Sequence, residues 1–130
     1  MSASPAASGV NLRVECLIPI LNVRNLPASI RFYTEVLGFR VDWGDEDGSE
    51  MASVSRSDRS ILLCGNGQGQ AGTWIWIGVD DIAPLFEAYT ARGVKVLLEP
   101  TNFHWAYEMR IEDPDGHVLR FGSEPREERC

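Results

Sequence analysis

The amino-acid sequence predicts an α+β fold: two βαβββ modules in tandem, forming a curved mixed sheet with helices on its convex side. Three observations lead there. Residues 108–122 read as two alternating strands around a tight turn, two segments repeat the same strand, helix, glycine, strand order, and a glycine-rich stretch separates them. At 130 residues with 44% hydrophobic content, the chain suits one domain with one core.

Residues 14–23 are rich in β-branched and apolar side chains and predict the first strand, with Pro19 marking an edge strand or a bulge. Asn25 offers a helix cap and Pro27 suits a first turn; Ile30, Tyr33, Val36 and Leu37 follow at helical spacing, and Gly38 ends the helix. Strands are expected at 39–43, 51–55 and 61–64. Residues 65–72 are neither followed by a helix nor by Gly-Lys-Ser/Thr, so they read as a linker rather than a phosphate loop. The pattern then restarts: a strand at 73–79, Asp80 or Asp81 as cap, a helix bearing Ile82, Leu85, Phe86 and Tyr89, Gly93 as its stop, and a strand at 94–98.

In the final hairpin Asp113-Pro114-Asp115-Gly116 supplies the turn. Met109, Ile111, Leu119 and Phe121 share one face; Glu108, Arg110, Glu112 and Arg120 share the other. Val23, Leu26, Ile30 and Tyr33 match Val79, Ile82, Phe86 and Tyr89 with identical spacing, which makes the chain an internal duplication. The expected plan is a leader at 1–12, a domain at 13–123 (module one 13–64, linker 65–72, module two 73–123) and a flexible, fraying tail at 124–130. Helices cover one face of each sheet, so the polar-containing face is expected to turn inward as a trough.

A net charge of −7 argues against nucleic-acid binding, which demands a basic footprint. No apolar run is long enough to span a membrane, and the N-terminus lacks a basic start before an apolar stretch, so a cytoplasmic location is expected. Cys16, Cys64 and Cys130 form neither a metal pair nor an even disulfide framework; Cys16 and Cys64 are expected as small buried hydrophobes.

Alternation puts Trp74 and Trp76 in the trough and Ile75 and Ile77 under the helix. The two indoles either sandwich a planar or cationic ligand or fill a dimer core. Glu108, Arg110 and Arg120 also face the trough. Either Glu108 is a general base or cation acceptor beside arginines that bind a carboxylate or phosphate, or it pairs with an arginine to neutralise a partly buried site. His104 and Trp105 lie in a loop able to close over a ligand. Glu108 and His104 are the catalytic candidates, although a lone loop histidine is more often a bystander. His117 is expected to face solvent, and Tyr33 and Tyr89, matched across the repeat, to be core.

With this duplication, the motifs Asn22-Val23-Arg24-Asn25-Leu26, Phe32-Tyr33-Thr34-Glu35-Val36-Leu37-Gly38-Phe39 and Glu112-Asp113-Pro114-Asp115-Gly116 resemble the vicinal oxygen chelate superfamily. It includes glyoxalase I, extradiol dioxygenases, fosfomycin resistance enzymes and bleomycin resistance proteins. The resemblance spans residues 14–122. Metal-dependent relatives carry His, Gln or Glu at four positions, which fall by motif at Ile18, near Leu63, at Trp74 and at Arg120. None is a ligand for a divalent cation, so the resemblance implies no metal and no cofactor.

The metal-free branch is represented by bleomycin resistance proteins, dimeric binders that hold a bulky cationic antibiotic in grooves between subunits. The resemblance to it implies a homodimeric small-molecule-binding protein that sequesters an aromatic or amphipathic ligand. Trp74, Trp76 and Trp105, with trough-facing Ile18, Ile20, Ile61 and Leu63, would line the pocket; Glu108, Arg110 and Arg120 would orient the ligand. Arginines stand where carboxylates would be expected to meet a cationic drug. Two alternatives stay open: a glyoxalase-like lyase, isomerase or dioxygenase with a divalent metal, and a non-catalytic dimeric interaction module. Open too is whether one chain closes the pocket or a second subunit completes it.

Overall fold

The computed structural model describes residues 11–127. Two four-stranded mixed sheets, each with a helical segment on one face, give the α+β architecture. The first module contains β1 (Ile20–Asn22), α1 (Leu26–Arg31), β2 (Arg40–Trp43), β3 (Met51–Arg56) and β4 (Arg59–Cys64). The second contains β5 (Trp74–Gly78), α2 (Ile82–Ala91), β6 (Lys95–Asn102), β7 (Tyr107–Glu112) and β8 (Val118–Ser123). Spatial orders are β1-β4-β3-β2 and β5-β8-β7-β6, so each module repeats one parallel pair at its edge and two antiparallel pairs. Residues 65–72 join the modules without helix or strand.

Both helices start on the expected caps: the side-chain oxygens of Asn25 and Asp81 accept from the N–H of Ala28 (3.0 Å) and Ala83 (3.1 Å). α1 is shorter than its apolar spacing suggests. It widens into a π-turn over Phe32–Val36, where the Leu37 N–H donates to Phe32 O at 3.0 Å, five residues back.

The first strand is also shorter than expected. β1 covers only Ile20–Asn22: Pro19 has no N–H to donate and joins β4 only through its carbonyl, which accepts the Leu62 N–H at 2.9 Å, and residues 11–18 lie in no strand. Cys16 therefore lies exposed rather than buried, whereas Cys64 is buried on β4. β6, in contrast, extends past Leu98 to Asn102 through an irregular register around Glu99 and Pro100.

One continuous core unites the modules. Leu21, Ala52, Val54, Ile61 and Leu63 contribute from the first sheet, Met109, Ile111, Leu119 and Phe121 from the second, and Tyr33 and Tyr89 from the helical segments. Polar bonds lock the halves together: the Tyr33 hydroxyl donates to Asp113 (2.8 Å), the Tyr89 hydroxyl to Leu37 O (2.9 Å), and Arg24 donates through its backbone N–H and Nε to Asp115.

His117 is part of this lock and does not face solvent. It is fully buried immediately before β8, accepting the Thr73 N–H on Nδ1 (3.0 Å) and lying with Nε2 2.6 Å from Asn22 O. An acceptor Nδ1 requires the proton of the neutral ring on Nε2, which donates to Asn22 O. A place in the hairpin turn predicts a solvent-facing His117; the first module, reaching it through Asn22, is what covers the ring. The start of the tail is held as well, since Asn102 exchanges two hydrogen bonds with the Arg126 backbone (2.8 and 2.9 Å) and the Arg126 guanidinium lies over Tyr107. Of the expected leader, residues 1–10 lie outside the described residues, as do residues 128–130 of the expected tail, Cys130 among them.

Candidate functional site

β5, β8 and β7 lie side by side with Trp76, Arg120 and Arg110 in one cross-strand row. The row beside it contains Gly78, Gly122 and Glu108. Strand alternation sends Ile75 and Ile77 to the core and leaves Trp74 and Trp76 on the opposite face, 58% and 48% exposed. Gly122 makes room for this: a Cβ there would overlap the six-membered ring of Trp76.

Arg110 and Arg120 are direct partners across antiparallel strands, a like-charge pair that is unfavourable unless compensated. Glu108 compensates it. This carboxylate is 0% exposed and accepts Arg120 Nε (2.6 Å) and Nη2 (3.0 Å), Arg110 Nε (2.8 Å) and Trp105 Nε1 (3.1 Å). The hydrogen bonds from Arg120 are the largest influence; with those from Arg110 and Trp105 they outweigh burial and lower its pKa to about 2. Glu108 reciprocally raises the pKa of Arg120. Such a carboxylate is a poor general base, because it is ionised far below neutral pH and its oxygens are occupied.

Each guanidinium also covers an indole: Arg110 lies 5.7 Å from the centroid of the Trp74 ring and Arg120 lies 5.1 Å from that of Trp76. Above them, the loop between β6 and β7 stacks Phe103 flat on Trp105, with centroids 4.5 Å apart. His104 is exposed with its ring edge-on to Trp105, and no step follows from its position.

The structure therefore gathers Trp74, Trp76, Trp105, Glu108, Arg110 and Arg120 at one place. It does not gather all of the expected aliphatic lining. Ile61 and Leu63 point into the core beneath α1, because the parallel register pairs Leu21 with Leu63 and Ile20 with Leu62. Leu62, not its neighbours, shares the outer face of the first sheet with the exposed Ile20; Ile18 is exposed ahead of that strand. Alternation within β4 fixes two possible faces but not which one meets α1. Phe103 was the other omission, and its stacking partner two residues on was the available signal.

Across residues 14–121 the chain matches the family model described as Glyoxalase/Bleomycin resistance protein/Dioxygenase superfamily. The chain belongs to this superfamily. A lactoylglutathione lyase from Haemophilus influenzae is 32% identical over 124 residues, covering 83% of this chain and 91% of the relative. TnmS3, an antibiotic binding protein from Streptomyces sp. CB03234, superposes with a TM-score of 0.78 at 20% identity, covering 90% of this chain and all of TnmS3 (100%). The bleomycin-binding protein of Streptomyces verticillus, in complex with copper(II)-bleomycin, gives a TM-score of 0.67 at 25% identity over 89% of this chain and 100% of that one.

The metal centre of the superfamily's metal-dependent members does not fit the residues present. Of the positions expected from the motifs, Trp74 and Arg120 offer no lone pair, and Ile18 and the β4 leucines offer no donor atom. Among the described residues no group of three or more His, Cys, Asp or Glu is arranged to hold a metal ion. Among the described residues, too, no helix is long and apolar enough to cross a membrane.

Proposed function

We propose that this protein is a metal-free small-molecule binder of the bleomycin-resistance type, which sequesters an aromatic or amphipathic ligand against the outer face of its second sheet. One observation carries the proposal: Trp74, Trp76 and Trp105 offer an open aromatic surface stiffened by the Glu108 arginine pair, and the motif resemblance implies that Trp74 stands where metal-dependent relatives would carry a ligand. Burying apolar ligand surface contributes about 25 cal/mol per Å², and each well-placed aromatic contact adds about 1 kcal/mol. No covalent step is required. Because Trp74, Trp76 and Trp105 are each about half exposed, a second copy of the chain closing over them fits the reading, with the pocket between subunits.

A second reading, a lyase with a divalent metal, is favoured by the name of the 32% identical relative. The two are separated by measuring metal content and lactoylglutathione lyase activity beside a tryptophan-fluorescence titration with planar aromatic compounds. The binding reading expects saturable quenching that Trp74→Ala and Trp76→Ala weaken. Stoichiometric metal with turnover, and no quenching by any compound, would reverse the ranking.

A further inference from the structure

The charges on the outer face of the second sheet have a sign opposite to that of the whole protein. The chain carries −7, yet its aromatic face is built around two guanidiniums and a single carboxylate. Glu108 cannot greet a ligand cation: it is fully buried and its oxygens already accept four hydrogen bonds. The next carboxylate on this face, Glu112, is paired with Lys95 at 3.4 Å. Among the described residues no second carboxylate bonds to Arg110 or Arg120.

The arginines, by contrast, keep donors in reserve. Arg110 uses only Nε and Arg120 only Nε and Nη2 toward Glu108; both terminal nitrogens of Arg110 and Nη1 of Arg120 make no hydrogen bond among the described residues. Both side chains are nearly one third open to solvent. The π-faces that would attract a cationic ligand are partly taken by these guanidiniums.

We infer that the site selects planar anions: an aromatic ring carrying a carboxylate, with the ring against Trp74 and Trp76 and the carboxylate on the unused donors of Arg110 and Arg120. This deepens the binding reading above and rests on it. Glu108 acts as a positioning residue, cancelling one of two positive charges and holding both forks in the plane where they meet the ligand. The site is thereby set apart from one made for a cationic drug.

Three ligands of one shape test the inference: 2-naphthoate, 2-naphthalenemethanol and 2-naphthylmethylammonium, titrated by calorimetry and tryptophan fluorescence. The expected order is carboxylate, then alcohol, then ammonium, with the first step about tenfold, the scale of a charge-assisted hydrogen bond. Arg110→Gln should narrow the ratio of carboxylate to alcohol affinity, with thermal unfolding confirming that the variant folds; an unchanged ratio would overturn the inference. If the ammonium binds as tightly as the carboxylate, or all three bind alike, the inference fails while the binding reading stands. If none binds and the fluorescence stays flat, both fail.

Discussion

The Tyr33 hydroxyl, carried on the helical segment of the first module, donates to Asp113 in the turn of the second at 2.8 Å, with both groups buried. The same Asp113 accepts the N–H of Asp115 and of His117, both at 2.9 Å, so one carboxylate organises the hairpin turn and fastens it to the other module. Burial, then the charge of Asp113, pushes the Tyr33 pKa well above its ordinary value, which keeps the phenol a donor. Tyr33→Phe removes the link while preserving the edge-on contacts with Phe32 and Phe39. A hydrogen bond to a charged group predicts a loss of about 1.5–3 kcal/mol, read as a lower urea midpoint at unchanged slope.

His117→Phe tests the second intermodule lock. The ring volume is kept, but the Thr73 N–H and Asn22 O lose their partner inside the protein. Each orphaned group costs about 1–3 kcal/mol, so the expected loss is on the order of 2 kcal/mol or more. An unchanged melting temperature would contradict the burial assigned to this ring.

Acid should loosen the Glu108 cluster. The pKa of Glu108 is depressed in the folded chain to about 2 from an ordinary 4.5, so its contribution is fully present above the unfolded value and disappears as pH falls through the folded one. The predicted window runs from about pH 5 down to about pH 2, with tryptophan fluorescence shifting as the arginines are released. Glu108→Gln should flatten the dependence of unfolding free energy on pH in that window. A variant with the same slope as the parent protein would contradict the assignment.

Gly122→Ala should disturb Trp76 before it disturbs the strand. The new methyl group would overlap the indole, which must swing away from the β8 backbone. The cost of such overpacking is about 1–3 kcal/mol, and planar ligands should bind more weakly than to the parent protein. Calorimetry alongside thermal unfolding checks both parts.

How much of this was legible in the sequence varies by level. The duplicated spacing of Val23, Leu26, Ile30 and Tyr33 against Val79, Ile82, Phe86 and Tyr89 disclosed the modules, and alternation alone placed Trp74, Trp76, Arg110 and Arg120 on one face. Those signals are local periodicities, which a chain carries along its length. The position of His117 and the orientation of Ile61 and Leu63 were not legible, because they depend on the register of distant segments: residues 22 and 73 around the imidazole, and the parallel pairing of β1 with β4. The depth of Glu108 lay between these cases. Its face followed from parity, but its four simultaneous hydrogen bonds required the loop carrying Trp105 to fold back over it.

On the proposed reading, the outer face of the second sheet binds its ligand through indoles and arginines, without a metal. The most direct measurement is a calorimetric titration of 2-naphthoate into chelator-treated protein, repeated after adding back zinc, nickel, manganese or iron. The account predicts saturable binding with the same affinity in every titration. Binding that appears only when one of these metals is restored would contradict it.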